Sequence, residues 1–303
     1  MVKSYPAFLA LFAAAASTVS ASQTRYAALK LFQDVGAPGD DSATSISRLV
    51  GFVNKHEANP LFTQDVDWEP RLDNAYPNTI FDAATNTYQV FYGNCISSPG
   101  LGAPDCSEQT LHYANSTDGL VWEKPDLGLF DLADKDWVRD DLKVYGTHNN
   151  IIMKGGGVGV YDDVEQTGPE DECRYKAFGE GQFKGTTDDN ADGGSQTNGI
   201  SCSADGLNWV DGQTLSFPDP QRYDTHNNVY YHTELDQYLY TTRAGFDDAP
   251  GRCVGQALGT DGEFSKYDVD FDGFETVESG ANDAQIYAQL PFPFLDMYLA
   301  YSM

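Results

Sequence analysis

The sequence predicts an all-β chain assembled from repeated small sheets, a β-propeller-like architecture. Three observations lead there. From Asn59 onward the chain is a succession of short β-branched and aromatic runs separated by turn residues. A turn of the form Ser-x-Asp-Gly-Leu-x-Trp occurs twice, at Ser116–Trp122 and at Ser203–Trp209. A polar tetrapeptide, Thr-His-Asn-Asn, also occurs twice, at Thr147–Asn150 and Thr225–Asn228, each time ahead of an apolar run. A repeat of roughly 60–80 residues with three or four strands per unit is the signature of a propeller, because no unit can bury both faces of its sheet alone.

The elements follow in order. Asn78–Phe81 and Tyr88–Tyr92 flank Asp82-Ala83-Ala84-Thr85-Asn86-Thr87, a hairpin pattern, and Leu111–Ala114 is a third strand. The Asp118-Gly119 pair then makes a tight turn and Trp122 packs between units. A second unit opens at Asn150–Met153 and continues through Tyr175–Phe178 and Gly199–Cys202 to the turn carrying Asp205 and Trp209. The third contains Asn228–Tyr231, Gln237–Thr242 and Cys253–Ala257 and closes on a degraded turn, Gly259–Phe264. Gln285–Ala288 and Met297–Tyr301 begin a fourth. Ending at Met303, the chain is expected to be an incomplete propeller.

Ahead of these units, Lys3 and the apolar run Ala7–Ala16, followed by Val19-Ser20-Ala21, have the form of a signal peptide over residues 1–21. Residues 22–58 are a weakly patterned lead-in, in which Gly51 interrupts a short helix pattern over Ala43–Asn54, and 59–303 is the propeller domain. The net charge of −28 argues against nucleic acid and anionic membrane as partners, and no later run has membrane-span length. A soluble, secreted, extracellular protein is expected, with no prediction of its oligomeric state. Secretion permits disulfides among Cys95, Cys106, Cys173, Cys202 and Cys253. Cys95 and Cys106 flank one loop, Cys173 and Cys202 suit neighbouring strands, and Cys253 is then the odd one; spacing alone leaves the pairing open.

In a propeller the first strand of each unit lines the channel and its beginning opens on one face. The groups at those openings are the candidate site: Trp68, Glu69, Asp73 and Asn74 with Tyr76; His148, Asn149 and Asn150; Asp224, His226, Asn227 and Asn228; and Asp283 with Gln285. Amides and carboxylates bond hydroxyls and aromatic faces cover C–H-rich rings, so the ligand class is a carbohydrate. The two Thr-His-Asn-Asn copies are expected at equivalent places, facing one funnel.

From about Asn59 to its end the chain resembles the five-bladed propeller glycoside hydrolases, the broad group of invertases, levansucrases and arabinanases. The resemblance is carried by Tyr-Pro-Asn-Thr-Ile-Phe-Asp (76–82), by Tyr-Ala-x-Ser-Thr-Asp-Gly-Leu-x-Trp-Glu-Lys-Pro (113–125) and by Asp-Thr-His-Asn-Asn (224–228). It implies five blades and a secreted hydrolase using a carboxylate base or nucleophile, a second Asp orienting the sugar, and a Glu acid. Asp73, with Glu69 as rival, matches the first role, Asp224 the second, and Glu180, Glu278 or a residue beyond Met303 the third. Retention needs carboxyls roughly 5–5.5 Å apart and inversion roughly 6.5–9.5 Å. The invertase Trp-Met-Asn-Asp-Pro-Asn-Gly signature is absent, and Thr225 stands where Arg-Asp-Pro would place proline, which turns specificity away from sucrose and fructan. A non-catalytic carbohydrate-binding propeller and an inactive fragment are the alternatives.

No cofactor is required by this reading. Asp188–Gly193 and Asp268–Gly273 imitate the start of a calcium loop without its closing Glu, and some relatives carry a central metal, which paired His148 and His226 would allow. Asn115-Ser116-Thr117 is a glycosylation sequon.

Overall fold

The computed structural model describes residues 55–72, 75–97, 108–181, 198–210, 212–215, 224–245, 252–259, 275–279, 288–294 and 297–302. The chain divides into two compact units, Met1–Glu57 and Ala58–Met303, and every strand among the described residues lies in the second. The expected helix at 43–54 and both calcium-like loops lie outside the described residues.

The fold is all-β. Strands β1 (Asn78–Asp82), β2 (Thr87–Cys95) and β3 (Gln109–Ser116) form an antiparallel meander. Strand β4 (Ile151–Asp162) serves two sheets. Its first residues pair with β3, Thr110 opposite Lys154 and Leu111 opposite Met153, and its remainder pairs with β5 (Tyr175–Gly181). Strands β6 (Asn198–Ser203) and β7 (Gln213–Leu215) complete the second sheet. The third sheet runs β8 (Asp224–His232), β9 (Gln237–Gly245), β10 (Arg252–Gly259), β11 (Glu275–Ser279), all antiparallel. Strands β12 (Gln289–Phe294) and β13 (Met297–Ser302) pair with each other. Among the described residues, helix is limited to one 3-10 turn, Lys143–Tyr145, and one α-turn, Val164–Thr167. None is long and apolar enough to cross a membrane.

The alternation along β2 shows how the sheets stack. Phe91 faces a core it shares with Leu111 and Tyr113 of the first sheet and Val158, Val160, Tyr175 and Ala177 of the second. Val90 and Tyr92 point the other way, toward Phe62, Leu72 and Trp122. A further core, with Phe178, Ile200, Val229, Tyr238 and Tyr240, joins the second sheet to the third. Each fully buried aromatic there contributes about 2–3 kcal/mol over its exposed state. Sheets therefore stack face to face in chain order, as units that each need a neighbour.

The repeated turns have the structural role expected of them. Ser116 Oγ accepts the amides of Asp118 and Gly119, and Asp118 Oδ1 those of Leu120 and Val121. Ser203 and Asp205 repeat this pattern on Gly206, Leu207 and Asn208. Gly119 and Gly206 occupy φ of +73° and +75°, which a Cβ would strain. Trp209 packs on the core between the first two sheets.

Cys173 and Cys202 are joined by a disulfide, with Cα atoms 4.9 Å apart, and Cys95 is disulfide-bonded to a partner outside the described residues. Two strands depart from expectation. Strand β4 is a long one because Gly155–Gly159 lets it pass from one sheet to the next. Strand β12 was not expected, because Pro291 and Pro293 disguise it, proline lacking the donor a central strand needs; of the expected strand Gln285–Ala288, residues 285–287 lie outside the described residues.

Candidate functional site at the heads of the first strands

The first strands of successive sheets converge through polar groups at their heads. Asn78, the first residue of β1, donates from Nδ2 to Asn228 Oδ1 of β8 at 3.0 Å. Its Oδ1 accepts the Val160 amide of β4 at 3.3 Å and lies 3.1 Å from His226 Nε2. Asn228 Nδ2 in turn lies 3.5 Å from Gln289 O at the head of β12. Four strands are thus tied at one place by a single amide and its neighbours.

Glycine makes the approach of β4 and β8 feasible. A Cβ on Gly159 would sit 1.8 Å from Asn227 O, and Asn227 Nδ2 donates to Gly157 O at 3.0 Å. Thr242 Oγ1 holds Asn227 Oδ1 at 2.5 Å from the neighbouring strand. The register of β8 slips between Asp224, opposite Arg243, and Asn228, opposite Thr241, so the head of this strand bulges.

The tautomer of His226 follows from these contacts. The Val160 amide can only donate, so the atom of Asn78 facing it is the oxygen, and the His226 nitrogen facing that oxygen carries the proton. Burial pushes the imidazole down to about 3, so it is neutral, protonated at Nε2. Tyr76 lies over it, ring centroids 5.5 Å apart and planes at 33°. Tyr76 holds a φ of +43° ahead of Pro77, a conformation a bulky side chain adopts only where its surroundings impose it.

The first Thr-His-Asn-Asn copy lies elsewhere, which corrects the expectation of two equivalent copies on one funnel. It is a turn ahead of β4, and the run after it pairs with β3, the outer part of the first sheet. The place in β4 that meets β8 is Gly157–Gly159 instead. His148 is exposed, its Nδ1 2.6 Å from Asp126 Oδ2. Asn149 folds the preceding loop by donating to Phe130 O and Gly146 O, both at 2.9 Å. The two histidines do not share a place, so they do not form a common metal site; among the described residues no group of three or more His, Cys, Asp or Glu is arranged to hold one.

Asn150, Trp68 and Glu69 belong to a sealed network on the far face of the first sheet. Asn150 Oδ1 accepts Trp68 Nε1 at 2.7 Å, and its Nδ2 donates to the Tyr92 hydroxyl at 2.7 Å and to Tyr113 O at 2.6 Å. Tyr92 donates to Glu69 Oε1, and Lys124 Nζ lies 2.6 Å from Glu69 Oε2. Glu69 is 1% exposed, and burial raises its carboxyl against the opposing pull of Lys124 and Tyr92. Both its oxygens are occupied, so Glu69 offers no free carboxylate. A cleft of about 230 Å³ opens above Lys124, lined by Phe62, Asp65 and Trp122, but the ammonium already donates to Thr63 O, Asp65 and Glu69.

Asp73, Asn74, Asp283, Gln285 and the side chains of Asp224, Glu180 and Glu278 lie outside the described residues. By backbone, Asp224 opens β8, Glu180 stands opposite Gly156 in β5, and Glu278 is on β11, three strands removed from β8. Asn78 is the site residue the sequence reading passed over; its signal was a place ahead of an apolar run, matching that of Asn228.

No protein-family model matches the chain, and a search of curated proteins gives no match. Solved structures do. A thermostable family-43 glycoside hydrolase aligns at 14% identity and a TM-score of 0.37, over 67% of this chain and 54% of that one. The Bombyx mori GH32 β-fructofuranosidase aligns at 10% identity and 0.40, over 72% and 40%. A GH43 endo-arabinanase from Bacillus licheniformis aligns at 11% and 0.40, over 79% and 78%. The chain thus spans about half the length of the first and two fifths of the second. These three solved structures are described as glycoside hydrolases of families 43 and 32.

Proposed function

We propose that the chain is a secreted propeller glycoside hydrolase that binds a saccharide at the heads of β1, β8 and β12. The observation that carries this reading is the Asn78–His226–Asn228 cluster beneath Tyr76, a set of directional hydrogen-bonding groups beside an aromatic face. In this reading Asp224 and Asp73 supply the carboxylates, Gln285 shapes the rim, the buried Asn227 locks β8 against β4, and the acid is a glutamate. Glu69, Trp68, Asn149 and Asn150 hold the outer face of the first sheet instead. The disulfide-bonded cysteines and the signal-like residues 1–21 support an oxidising, extracellular setting. Face-to-face stacking of three sheets supports the propeller, and the count of five blades rests on the family resemblance.

A second reading is a carbohydrate-binding propeller without turnover, since the amides, imidazole and phenol of the cluster are groups that hold a saccharide without acting on it.

The deciding experiment is release of reducing ends from arabinan, sucrose and a panel of neutral oligosaccharides. Turnover that falls by about a thousandfold in Asp224→Asn, with thermal stability unchanged, supports hydrolysis with Asp224 as one of its essential carboxylates. Binding without release supports the second reading. Neither binding nor release by the wild-type chain overturns both.

A further inference from the structure

We propose that the side chains of Lys176 and Asp163 join in an amide bond, formed by the folded chain itself, that ties β5 to the turn leaving β4. The inference is independent of the saccharide reading.

Lys176 Nζ lies 2.8 Å from Asp163 Oδ2, with the two side chains 2% and 0% exposed. The carboxyl carbon is one bond from that oxygen, so it lies within about 4 Å of the nitrogen. Both backbones are fixed. Asp163 donates its amide to Arg174 O at 2.8 Å, and its carbonyl accepts the amides of Gln166 and Thr167. Lys176 stands in the ladder between Tyr161 of β4 and Cys202 of β6. Amine and carboxyl are thus held as an intramolecular pair, and the entropy of bringing them together is already spent.

The second carboxyl oxygen singles this pair out. Asp163 Oδ1 is buried with no hydrogen-bond partner, while the Tyr238 hydroxyl donates to Oδ2. In the buried Glu69–Lys124 pair, by contrast, both carboxylate oxygens are held. An ionised carboxylate with one bare oxygen in a closed core is costly. The amide leaves no such atom. Its one oxygen is Oδ2, which keeps the Tyr238 hydroxyl, and its one N–H faces Cys173 O, 2.8 Å from Nζ.

The step is a condensation. Burial raises the Asp163 carboxyl against the pull of Lys176 and Tyr238, which favours passage of the ammonium proton to Oδ1. The neutral amine attacks Cγ, the N–C bond forms, and the C=O electron pair moves to Oδ2, where the Tyr238 hydroxyl stabilises it. As the carbonyl re-forms, the Cγ–Oδ1 bond breaks, and Oδ1 leaves as water with its own proton and one from the nitrogen. Nothing is oxidised or reduced. The product resists reducing agents, unlike the Cys173–Cys202 disulfide beside it.

Peptide mapping of the purified full chain, denatured, reduced and alkylated, tests this. With Lys176 free, trypsin cuts after it and gives separate peptides 155–174 and 175–176. The amide blocks that cut and gives one species, 155–174 joined to 175–184, lighter than the sum of its parts by one water, about 18 Da. The joined species is expected in wild type and absent in Lys176→Arg, which keeps the positive charge on a group that does not deprotonate. In freshly synthesised Tyr238→Phe it is expected to form about a hundredfold more slowly than in wild type.

Wild-type chain cut at Lys176, with both peptides released at their full masses, overturns the proposal and leaves a plain buried ion pair. A join from Lys176 to any residue other than Asp163 overturns the assignment, and formation at the wild-type rate in Tyr238→Phe overturns the part given to Tyr238. The first two outcomes are read on the wild-type chain, so the folding of a variant does not decide them.

Discussion

Asn78 and Asn228, 150 residues apart, share a hydrogen bond of 3.0 Å that joins the first strand of the first sheet to the first strand of the third. Asn78 also satisfies Val160 N–H and His226 Nε2–H. One side chain therefore closes the polar accounts of three strands at the place where they converge.

Replacing that side chain tests its weight. Asn78→Leu leaves a backbone donor, an imidazole donor and an amide acceptor without partners in a buried setting. Unsatisfied groups cost about 1–3 kcal/mol each, less what water recovers, so a loss of about 3 kcal/mol is expected in urea unfolding. Asn78→Asp should lose a comparable amount at neutral pH, because it sets an acceptor against Asn228 Oδ1. A loss under about 1 kcal/mol in both would show that the convergence does not depend on this amide.

The two copies of the Asp-Gly turn should respond unequally to the same change. At Gly119 an added Cβ meets only the Tyr88 ring, at 3.7 Å, so Gly119→Ala should cost about 1 kcal/mol for its positive φ. At Gly206 the Cβ would stand 2.9 Å from Phe91 Cζ, in the core between the first and second sheets. Gly206→Ala should therefore cost about 1–3 kcal/mol more, from overpacking. Thermal unfolding of the two variants side by side gives the comparison; equal losses would mean the Phe91 contact yields freely.

Lys124→Met should produce a protein that weakens as pH rises. The Glu69 carboxyl is already raised by burial, with Lys124 the main opposing influence. Without the ammonium its folded pKa rises further above the unfolded value. A folded state that binds the extra proton gains stability below that pKa and loses it as pH climbs through it. Stripping the cation from a buried pair costs about 3–5 kcal/mol at neutral pH, and the loss should shrink toward pH 5. Urea midpoints across that range check the sign, and a variant more stable at pH 8 than at pH 5 would contradict it.

Asp224→Asn carries the remaining prediction: loss of turnover on a neutral oligosaccharide with an unchanged melting temperature. Asparagine is isosteric with aspartate, and the regular pairing of β8 resumes only at Asn228, past the register shift that follows Asp224 opposite Arg243.

What the sequence determined by itself was local. The Ser-x-Asp-Gly turn closes within a few residues through its own side chains, so its copies at Ser116 and Ser203 were legible as structure, and their geometry matches contact for contact. Hydrophobic alternation marked most of the strands for the same reason, because period two is a property of a single strand. The second Thr-His-Asn-Asn copy was legible as the head of a strand. The first copy was not, though its four letters are identical. Its position depends on which strand Ile151–Met153 pairs with, and that pairing is with β3, chosen by cross-strand packing with residues some forty positions away. The handover of β4 from one sheet to the next depends likewise on the absence of a side chain at Gly159, where the Asn227 carbonyl of another sheet must fit. Glu69 looked like a free carboxylate for the same reason: Lys124, which neutralises it, lies 55 residues on and reaches it only once the first sheet has formed. Identical local sequence is read alike until long-range contact assigns each copy its neighbours, and those neighbours decide which polar groups face a ligand and which hold the fold.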